Sequence, residues 1–402
     1  MRIAIDGLLL HGRYSGVEHS IRSLVLALQE VNREHEFVLY VPSDSPDAEI
    51  GGRTLSVRRA PFSGSQRAAR VLWQQFGLPR ALRREGVGLL HGPGYTLPLR
   101  CPVPAVVNIH DLIALVRPDL ARRANVWHYS YMLPRSVRRA QRVIVHSEHT
   151  KADLARRLGT PQGKIRVIRL GIRDIFRPAT QPYDAAVKAR HKLPQRYFLM
   201  VGNLEPKKNV WGAIDAFGSY CRSGAPAAGL VIAGARGWMP RAYDHLLEEF
   251  RFRERVLSLG YVPEADLPAL YSAATALLFP SLYEGTGLPP LEAMACGTPV
   301  ICSDRGALPE TVGEAAVVLE VEEETYESRH GGALRFGFLP GMHETMRRMV
   351  EDDAFCEELV AKGRRRAAQF SWRRHAQETL ELYAEAAQEA RPGAAGRPPA
   401  GR

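Results

Sequence analysis

Long apolar runs are missing from this sequence of 402 residues. No stretch approaches the roughly 18 consecutive apolar residues of a membrane-spanning helix, so no transmembrane segment is predicted. The N-terminus opens on M-R-I-A-I-D-G, a strand pattern without the layout of a signal peptide. These absences predict a cytoplasmic protein, which leaves room for a peripheral position on the inner face of a membrane.

Cysteine is also scarce. The five cysteines are scattered along the chain, and no two of them form a C-x-x-C pair. This spacing predicts neither a disulfide framework nor a zinc site.

Acidic residues are scarce in the first half of the chain. Residues 1–178 contain 28 Lys and Arg against 14 Asp and Glu, whereas residues 179–402 contain 26 against 29. The excess of positive charge has two interpretations: arginine-rich solvated faces, or contact with an anionic membrane, a phosphorylated acceptor or nucleic acid. We expect no nucleic-acid partner, because no binding signature for one appears and the aromatic residues are not interleaved with the basic runs.

Short apolar runs alternate with helical patterns along both halves, which is typical of a doubly wound parallel sheet. We predict a Rossmann-like N-terminal domain that binds the acceptor, a linker, a second Rossmann-like domain, a C-terminal helix and a disordered tail rich in Pro and Gly. The boundaries are 1–178, 179–195, 196–370, 371–390 and 391–402. Residues 322–340 are acidic at first and then Gly-rich and aromatic, and their role is left without an assignment.

The most informative stretch is 276–310, which holds a strand, a Gly-rich loop, a helix and a second strand. Glu284 lies in the loop and Glu292 in the first part of the helix. A loop that leads from a parallel strand into a helix N-terminus is where open α/β sheets bind anionic ligands.

A second loop of this kind reads V-G-N-L-E-P-K-K-N and ends with Lys207, Lys208 and Asn209. It brings ammonium groups to a helix N-terminus, which is chemistry suited to a phosphate. Taken alone, the loop is equally well a basic, solvated turn. Its combination with the loop of Glu284 favours a binding site.

Together these motifs resemble the donor-binding domain of retaining GT-B glycosyltransferases of glycosyltransferase family four. That family has two glutamates with seven residues between them, here Glu284 and Glu292, and a loop lysine, here Lys208. The form E-P-K-K-N is similar to that of bacterial mannosyltransferases that assemble O-antigens and exopolysaccharides. The remaining matches are G-Y-V at 260–262, D-L-P-x-L-Y at 266–271, S-G-V at 15–17, H-D-L at 110–112 and V-H-S-E-H-T-K-A-D-L at 145–154. The resemblance implies an α/β fold of two Rossmann-like domains facing across a cleft, with the C-terminal helix crossing back to the first domain.

The resemblance also implies roles for single residues. Lys208 would pair with the donor diphosphate, Glu284 would hydrogen-bond the donor sugar, and His110 would face that sugar near its anomeric carbon. For His110 the alternative is a structural hydrogen bond to a backbone carbonyl. The other implied donor contacts are Gly16 and Lys207 at the diphosphate, Gly285, Thr286, Gly287 and Leu288 through their backbone, Glu292 at the ribose, and Asn203, Tyr261 and Val262.

Two positions depart from the family pattern. Asn203 stands where many members have an arginine, and Glu18 stands where relatives often have a glycine. An acid close to a diphosphate is unfavourable. No D-x-D motif is found in a suitable loop, so we expect Lys208 to replace a metal ion and no cofactor to be needed.

Residues 67–84 are predicted to form one amphipathic helix whose basic side chains contact an anionic membrane or the acceptor. Any surface helix with a basic edge would show the same pattern. The arginines are Arg67, Arg70, Arg80, Arg83 and Arg84. Trp73, Phe76 and Trp127 are predicted to lie in the core.

The predicted function is transfer of a hexose from a nucleoside diphosphate sugar to a hydroxyl of a glycan or lipid-linked acceptor, with retention. Mannose from GDP-mannose is the favoured donor. A non-hydrolysing sugar-nucleotide epimerase and a non-catalytic nucleotide-sugar-binding protein of the same fold are the alternatives.

Overall fold

The predicted buried strands form two parallel sheets in the computed structural model, which describes residues 1–12, 15–237, 240–327 and 333–389. The chain divides into two units. Unit 1 comprises Met1–Leu115, Ala124–Gly171 and the chain from Ser371 on, and unit 2 comprises Val116–Arg123 and Ile172–Phe370. Each unit has its own sheet and its own hydrophobic core.

Seven parallel strands form the sheet of unit 1, in the order β3-β2-β1-β4-β5-β6-β7. The strands are β1 (Arg2–Asp6), β2 (Glu36–Val41), β3 (Leu55–Arg59), β4 (Leu89–Gly92), β5 (Ala105–Ile109), β6 (Arg142–Val145) and β7 (Ile165–Val167). The first six helices are α1 (Gly16–Val31), α2 (Arg67–Leu72), α3 (Leu78–Arg84), α4 (Ile113–Val116), α5 (Arg123–Arg139) and α6 (Glu148–Leu158). All five residues of β5 are buried, as the continuous apolar run predicts.

Helix α1 begins with a reciprocal cap. The Ser15 hydroxyl accepts a hydrogen bond from the backbone N–H of Glu18, and the Glu18 carboxylate accepts one from the N–H of Ser15. The same carboxylate accepts hydrogen bonds from the N–H groups of His11 and Gly12 at 2.8 and 2.5 Å. Glu18 is 1% exposed. The acid that departs from the family pattern therefore folds the loop before α1.

The predicted single helix at 67–84 is interrupted. Helices α2 and α3 are joined by a π-helical turn, Trp73–Gly77. Pro79 lacks an N–H and cannot continue a regular helical hydrogen-bond pattern, and the wider turn precedes it. The extra residue rotates α3 against α2 by about 100°. Leu78 and Leu82 of α3 are buried, while Leu72 of α2 and Phe76 of the turn are exposed.

Six parallel strands form the main sheet of unit 2, in the order β10-β9-β8-β11-β12-β13. The strands are β8 (Tyr197–Val201), β9 (Gly229–Ala233), β10 (Val256–Gly260), β11 (Ala276–Phe279), β12 (Val300–Ser303) and β13 (Val317–Leu319). The helices are α7 (Gln181–His191), α8 (Val210–Arg222), α9 (Pro240–Glu249), α10 (Leu267–Ser272), α11 (Leu288–Ala295), α12 (Leu308–Val312), α13 (Met342–Glu351) and α14 (Asp353–Ala367). Helix α7 lies in the predicted linker and packs on unit 2, where Arg190 and His191 pair with the buried Asp266.

The stretch 322–340, which the sequence left unassigned, contains an antiparallel hairpin of β14 (Glu322–Glu327) and β15 (Ala333–Phe338). Asn209 attaches β15 to the start of α8: its Nδ2 donates to the carbonyl of Gly337 at 2.8 Å, and its Oδ1 accepts from the N–H of Gly337 at 3.0 Å. Arg117, also part of unit 2, pairs with Glu323 of β14 at 2.8 Å.

The last helix, α15 (Trp372–Glu389), belongs to unit 1 and packs against α1. It contributes Ala376, Leu382, Tyr383 and Ala386 to the core of that unit. The α/β class, the two Rossmann-like sheets and the return of the final helix are confirmed. Within the described ranges, no helix is long and apolar enough to span a membrane. The tail predicted to be disordered, 391–402, lies outside them.

Candidate active site

Lys208 and Glu284 meet in unit 2. Lys208 ends a helical turn, Pro206–Lys208, that follows β8, and its Nζ lies 2.7 Å from Oε1 of Glu284. The ammonium also lies over the ring of Phe279, 4.5 Å from its centroid. Gly202 leaves room for the lysine, because a Cβ there would lie 3.1 Å from Cε of Lys208.

Glu284 is 8% exposed. Burial by itself would raise its pKa, but the positive charges of Lys208 and Lys207 and the hydrogen bond from Lys208 outweigh burial and hold the pKa below its ordinary value. Glu284 is therefore an ionised hydrogen-bond acceptor at neutral pH, which suits the hydroxyl groups of a sugar.

The loop of Glu284 is held by residues that sequence reasoning missed. Gly306 follows β12, and a Cβ there would lie 2.3 Å from the carbonyl oxygen of Glu284. The N–H of Ala307 donates to that same oxygen at 2.9 Å. The signal available in the sequence was a glycine in R-G-A-L-P-E shortly after a strand.

Residues 285–288 connect Glu284 to α11. Gly287 caps the helix with φ of 86°, a conformation that favours glycine, and a Cβ there would also approach Leu308 to 2.6 Å. The hydroxyl of Thr311 donates to the carbonyl of Thr286 at 2.5 Å. Because Pro289 and Pro290 have no N–H, Leu288 carries the one main-chain N–H among the first three residues of α11.

Glu292, on α11, lies in a different environment. The hydroxyl of Tyr271 donates to its Oε2 at 3.0 Å, and a guanidinium nitrogen of Arg173 lies 3.8 Å from its Oε1. Burial raises the pKa of Glu292 in spite of Arg173 and Tyr271. Arg173 also pairs with Glu264. Tyr271 stands in the quoted motif D-L-P-x-L-Y without an assigned role, and no sequence signal pointed to Arg173.

Asn209 fixes the lysine loop from behind. Besides binding Gly337, its Nδ2 donates to the carbonyl of Pro280 at 3.1 Å, and its Oδ1 accepts from the N–H of Gly212 as the cap of α8. The carbonyl of Lys207 accepts a hydrogen bond from the N–H of Leu282 at 2.7 Å. The lysine loop and the loop of Glu284 are thus tied together by main chain and amide.

The remaining predicted donor contacts of unit 2 lie at the ends of β8 and β10. Asn203 is exposed, next to glycines 234 and 237, where a Cβ would collide with the carbonyls of Gly202 and Leu204. Tyr261 is 59% exposed, whereas Val262 is buried. These strand-end glycines of A-G-A-R-G were also missed.

His110 and Gly16 belong to unit 1. Nε2 of His110 donates to the carbonyl of Pro93 at 2.8 Å, and the ring packs against Tyr95 and His146. Burial lowers the pKa of His110, so the imidazole is neutral. The hydrogen bond to the carbonyl of Pro93 is the structural role that the sequence left open as the alternative for His110. Gly16 is the first residue of α1, with open space around the position of a Cβ.

The basic stretch 67–84 has its arginines at the surface: Arg70 is half-buried, and Arg67, Arg80, Arg83 and Arg84 are exposed. The prediction that Phe76 and Trp127 lie in the core is wrong, because they are 59% and 78% exposed. Trp73 is half-buried against Tyr40 and Phe62.

Two family models match the chain: "Glycosyl transferases group 1" over residues 184–328 and "Glycosyltransferase Family 4" over residues 14–174. The O-antigen chain mannosyltransferase B of Escherichia coli is 31% identical over 304 residues, which cover 75% of this chain and 76% of that protein. The chain belongs to the group 1, family four glycosyltransferases.

Solved structures agree on the fold of this glycosyltransferase. The sucrose-phosphate synthase of Thermosynechococcus elongatus aligns with a TM-score of 0.75 over 97% of this chain and all of that chain, at 21% identity. The Anabaena protein HepE, solved in complex with UDP-glucose, aligns with a TM-score of 0.72 over 96% of this chain and all of that chain, at 17% identity. Both likenesses support the GT-B fold.

Proposed function

We propose that this glycosyltransferase moves a mannosyl group from GDP-mannose to a hydroxyl of a glycan or lipid-linked acceptor, with retention and without a metal ion. The observation that carries the proposal is the ion pair of the half-buried Lys208 and the buried Glu284. The two loops that hold the pair offer both positive charge and an ionised acceptor. The choice of mannose rests on the similarity to the E. coli O-antigen mannosyltransferase.

The chemical problem is charge separation. The bond from the anomeric carbon to the diphosphate oxygen breaks, the leaving diphosphate gains negative charge, and the sugar becomes oxocarbenium-like. Lys208 and Lys207 stabilise the diphosphate by fixed positive charge. The acceptor oxygen attacks the same face, and its proton passes to the departing phosphate oxygen, so the configuration is retained.

The two glutamates divide the recognition of the donor. Glu284, ionised beside Lys208, accepts hydrogen bonds from the sugar hydroxyls. Glu292 accepts those of the ribose, while the main chain at Tyr261 and Val262 holds the base. For His110 and Gly16 the family resemblance alone supports contact with the donor.

The test is release of nucleoside diphosphate from GDP-mannose and other nucleotide sugars with a panel of glycan and lipid-linked acceptors. Lys208→Ala and Glu284→Ala should each lower kcat at least about 100-fold, the effect of removing a fixed charge at a developing one. Lys188→Ala, an exposed lysine on α7, is the control and should keep full activity.

Full activity in both site variants would refute the assignment. NMR of the product anomer tests retention. Interconversion of the donor sugar without a transfer product would instead indicate an epimerase, and donor binding without turnover a binding protein.

We also assign a membrane-facing surface to unit 1, the aromatic–arginine face: Leu72, Phe76, Trp127 and Tyr131 with Arg67, Arg80, Arg83 and Arg84. The four apolar side chains are 49–78% exposed. Helices α2, α3 and the part of α5 after Arg123 contain no acidic residue. Exposed aromatic rings among arginines suit an anionic lipid surface.

Co-sedimentation with vesicles measures the binding of the protein to a lipid surface. Binding to phosphatidylglycerol vesicles should exceed binding to phosphatidylcholine vesicles and fall with salt. Replacing Arg80, Arg83 and Arg84 by Gln should weaken binding by about 1 kcal/mol each. Trp127→Ala should also weaken it, whereas Leu26→Ala, an exposed leucine on α1, should not. Equal binding to both vesicle types would contradict the assignment.

A further inference from the structure

A groove of about 730 Å³ opens in unit 2 at the amino ends of β8, β9 and β10. Arg196 directly precedes β8, Gly229 is the first residue of β9, and Val256 is the first residue of β10. The loop of Lys208 follows the other end of β8. Because a strand of five residues spans about 16 Å, the groove and the lysine loop lie at opposite ends of the sheet.

Contacts between neighbouring segments give the groove a fixed base. Gly229 lets the chain before β8 come close, because a Cβ at this position would lie 2.8 Å from Cγ of Pro194. Nε and Nη2 of Arg255 both donate to the carbonyl of Ala228, at 3.0 and 2.7 Å. Pro194, Ala228 and Leu257 supply apolar wall. The volume and the apolar walls are those of a site for a small molecule, which typically measures roughly 300–1,000 Å³.

Arg255 is a firmly held charge in this groove. Its guanidinium is half-buried, and its Cζ lies 5.6 Å from the centroid of the Phe217 ring. The two hydrogen bonds to Ala228 use Nε and Nη2, and Nη1 donates none within the described ranges. The guanidinium therefore has a fixed orientation and a nitrogen left for a ligand.

Lys192 and Arg196 add two cations to the rim of the groove. Both are exposed, and neither side chain forms an ion pair or a hydrogen bond in the part of the chain that the structure describes. Lys192 follows the end of α7 with φ of 52°, a position where glycine is the usual residue. Non-glycine residues held in this conformation are found preferentially at functional sites and ligand clamps.

Glu254 supplies a negative charge to the same groove. It is the one acid among the described residues that line it, and within them its carboxylate forms no ion pair. Three cations and one carboxylate leave the groove positively charged. They also leave it with one strong acceptor for a hydroxyl or amino group.

We propose that this groove binds a phosphorylated small molecule, with the phosphate on Arg255, Arg196 and Lys192. Guanidinium and ammonium groups form strong, charge-assisted hydrogen bonds to phosphate oxygens. Glu254 accepts a hydrogen bond from a hydroxyl or amino group of the same molecule, and the apolar wall packs against the rest of it. Because the groove and the loop of Lys208 lie at opposite ends of the sheet, this ligand and a nucleotide sugar can be bound together.

Equilibrium dialysis measures the binding of AMP, mannose 1-phosphate and inorganic phosphate to the full chain. At least one of the two organic phosphates should bind more tightly than inorganic phosphate, because only an organic phosphate also contacts the apolar wall and Glu254. That ligand should bind the wild type and Lys208→Ala equally, since Lys208 lies outside the groove. Replacing Lys192 and Arg196 together by Gln should weaken its binding at least tenfold.

Arg365→Gln is the matched control. Arg365 is also an exposed arginine of unit 2 without an ion pair among the described residues, but it lies outside the groove, so its replacement should leave the binding unchanged. Because Lys192 and Arg196 are exposed, the double variant should keep the urea denaturation curve of the wild type.

Four results would each overturn the proposal. Neither organic phosphate binds the wild type, or inorganic phosphate binds as tightly as both of them. The binding is lost in Lys208→Ala, which would place the ligand in the donor site. The affinity is the same in the double variant as in Arg365→Gln.

Discussion

Glu284 and Glu292 have seven residues between them, and both are buried, yet their pKa values move in opposite directions. For both, burial is the largest influence and favours the neutral acid. At Glu284 two lysines overcome it, whereas at Glu292 Arg173 at 3.8 Å and one tyrosine hydroxyl do not. The difference lies in the neighbours that the fold supplies.

We expect Glu292→Gln to raise the stability of the protein while weakening its binding of GDP. The folded pKa of Glu292 is raised, so the stability that this group contributes at low pH is lost as pH rises from its unfolded value through its folded value. Glutamine removes that loss. Urea denaturation at pH 7 should give a larger free energy of unfolding than for the wild type.

In the same variant, GDP should bind about tenfold more weakly, which corresponds to roughly 1.4 kcal/mol. The exposed Glu314→Gln in the same unit is the control and should change neither quantity. A less stable Glu292→Gln protein at pH 7 would show that the carboxylate is better satisfied than its burial indicates.

At the scale of elements, the hairpin of β14 and β15 is attached to the lysine loop through one amide. Asn209 donates to the carbonyls of Pro280 and Gly337 and accepts from the N–H groups of Gly212 and Gly337. Its backbone has φ of 52°, which asparagine tolerates better than most residues. One side chain thus holds three elements in place behind Lys208.

Asn209→Asp separates the donor contacts of this side chain from its acceptor contacts. Aspartate keeps both acceptor contacts but replaces the donor with an oxygen that faces two carbonyls. Leaving buried polar groups unpaired costs about 1–3 kcal/mol each, so we expect the free energy of unfolding to fall by about 2–4 kcal/mol. Urea denaturation checks this. Asn203→Asp, an exposed amide of the same loop, should change it by no more than about 0.5 kcal/mol.

At the scale of the whole molecule, the return of α15 completes a buried row of histidines in unit 1. The rings of His110 and His146 lie 4.8 Å apart, and those of His146 and His375 5.7 Å apart. His91 lies beside them. Its Nε2 donates to Oδ1 of Asn108, which can only accept, so its Nδ1 accepts the hydrogen bond from the hydroxyl of Tyr383. All four rings are buried next to one another, so a positive charge on any of them is unfavourable.

This row predicts sensitivity to acid. Burial lowers the pKa of His91 and of His375 to about 4, and it also lowers the pKa of His110 and His146. The unfolded chain then binds more protons than the folded one between pH 6.5 and 4. The stability is fully present above pH 6.5 and is lost as pH falls toward 4.

Between pH 7 and pH 5 we expect a loss of about 2 kcal/mol for each of His91 and His375. Urea denaturation at the two pH values measures it. His375→Gln, which keeps a donor for the carbonyl of Arg169, should reduce the loss, whereas His343→Gln, a surface histidine of unit 2, should leave it unchanged. A loss that is identical in all three proteins would exclude the row as its cause.

The sequence by itself determined the parallel strands, the alternation with helices, the class of fold and the loops of Lys208 and Glu284. These features can be predicted from the sequence because each depends on periodicity and turn residues within a few positions of one another. The resemblance added roles for those residues.

Only the tertiary structure decided the rest, because it depends on contacts between distant positions. Lys208 and Glu284 are 76 residues apart, and Asn209 and Gly337 are 128 apart. Phe76 and Trp127 were wrongly placed in the core. Phe76 lies in the π-helical turn, which no periodicity in the sequence indicates, and α5 buries Met132, Leu133 and Val137 instead of Trp127. The hairpin in 322–340 was left unassigned, because the residues that hold it are distant in the sequence: Asn209, Arg117 and Trp211, whose ring packs against that of Phe336.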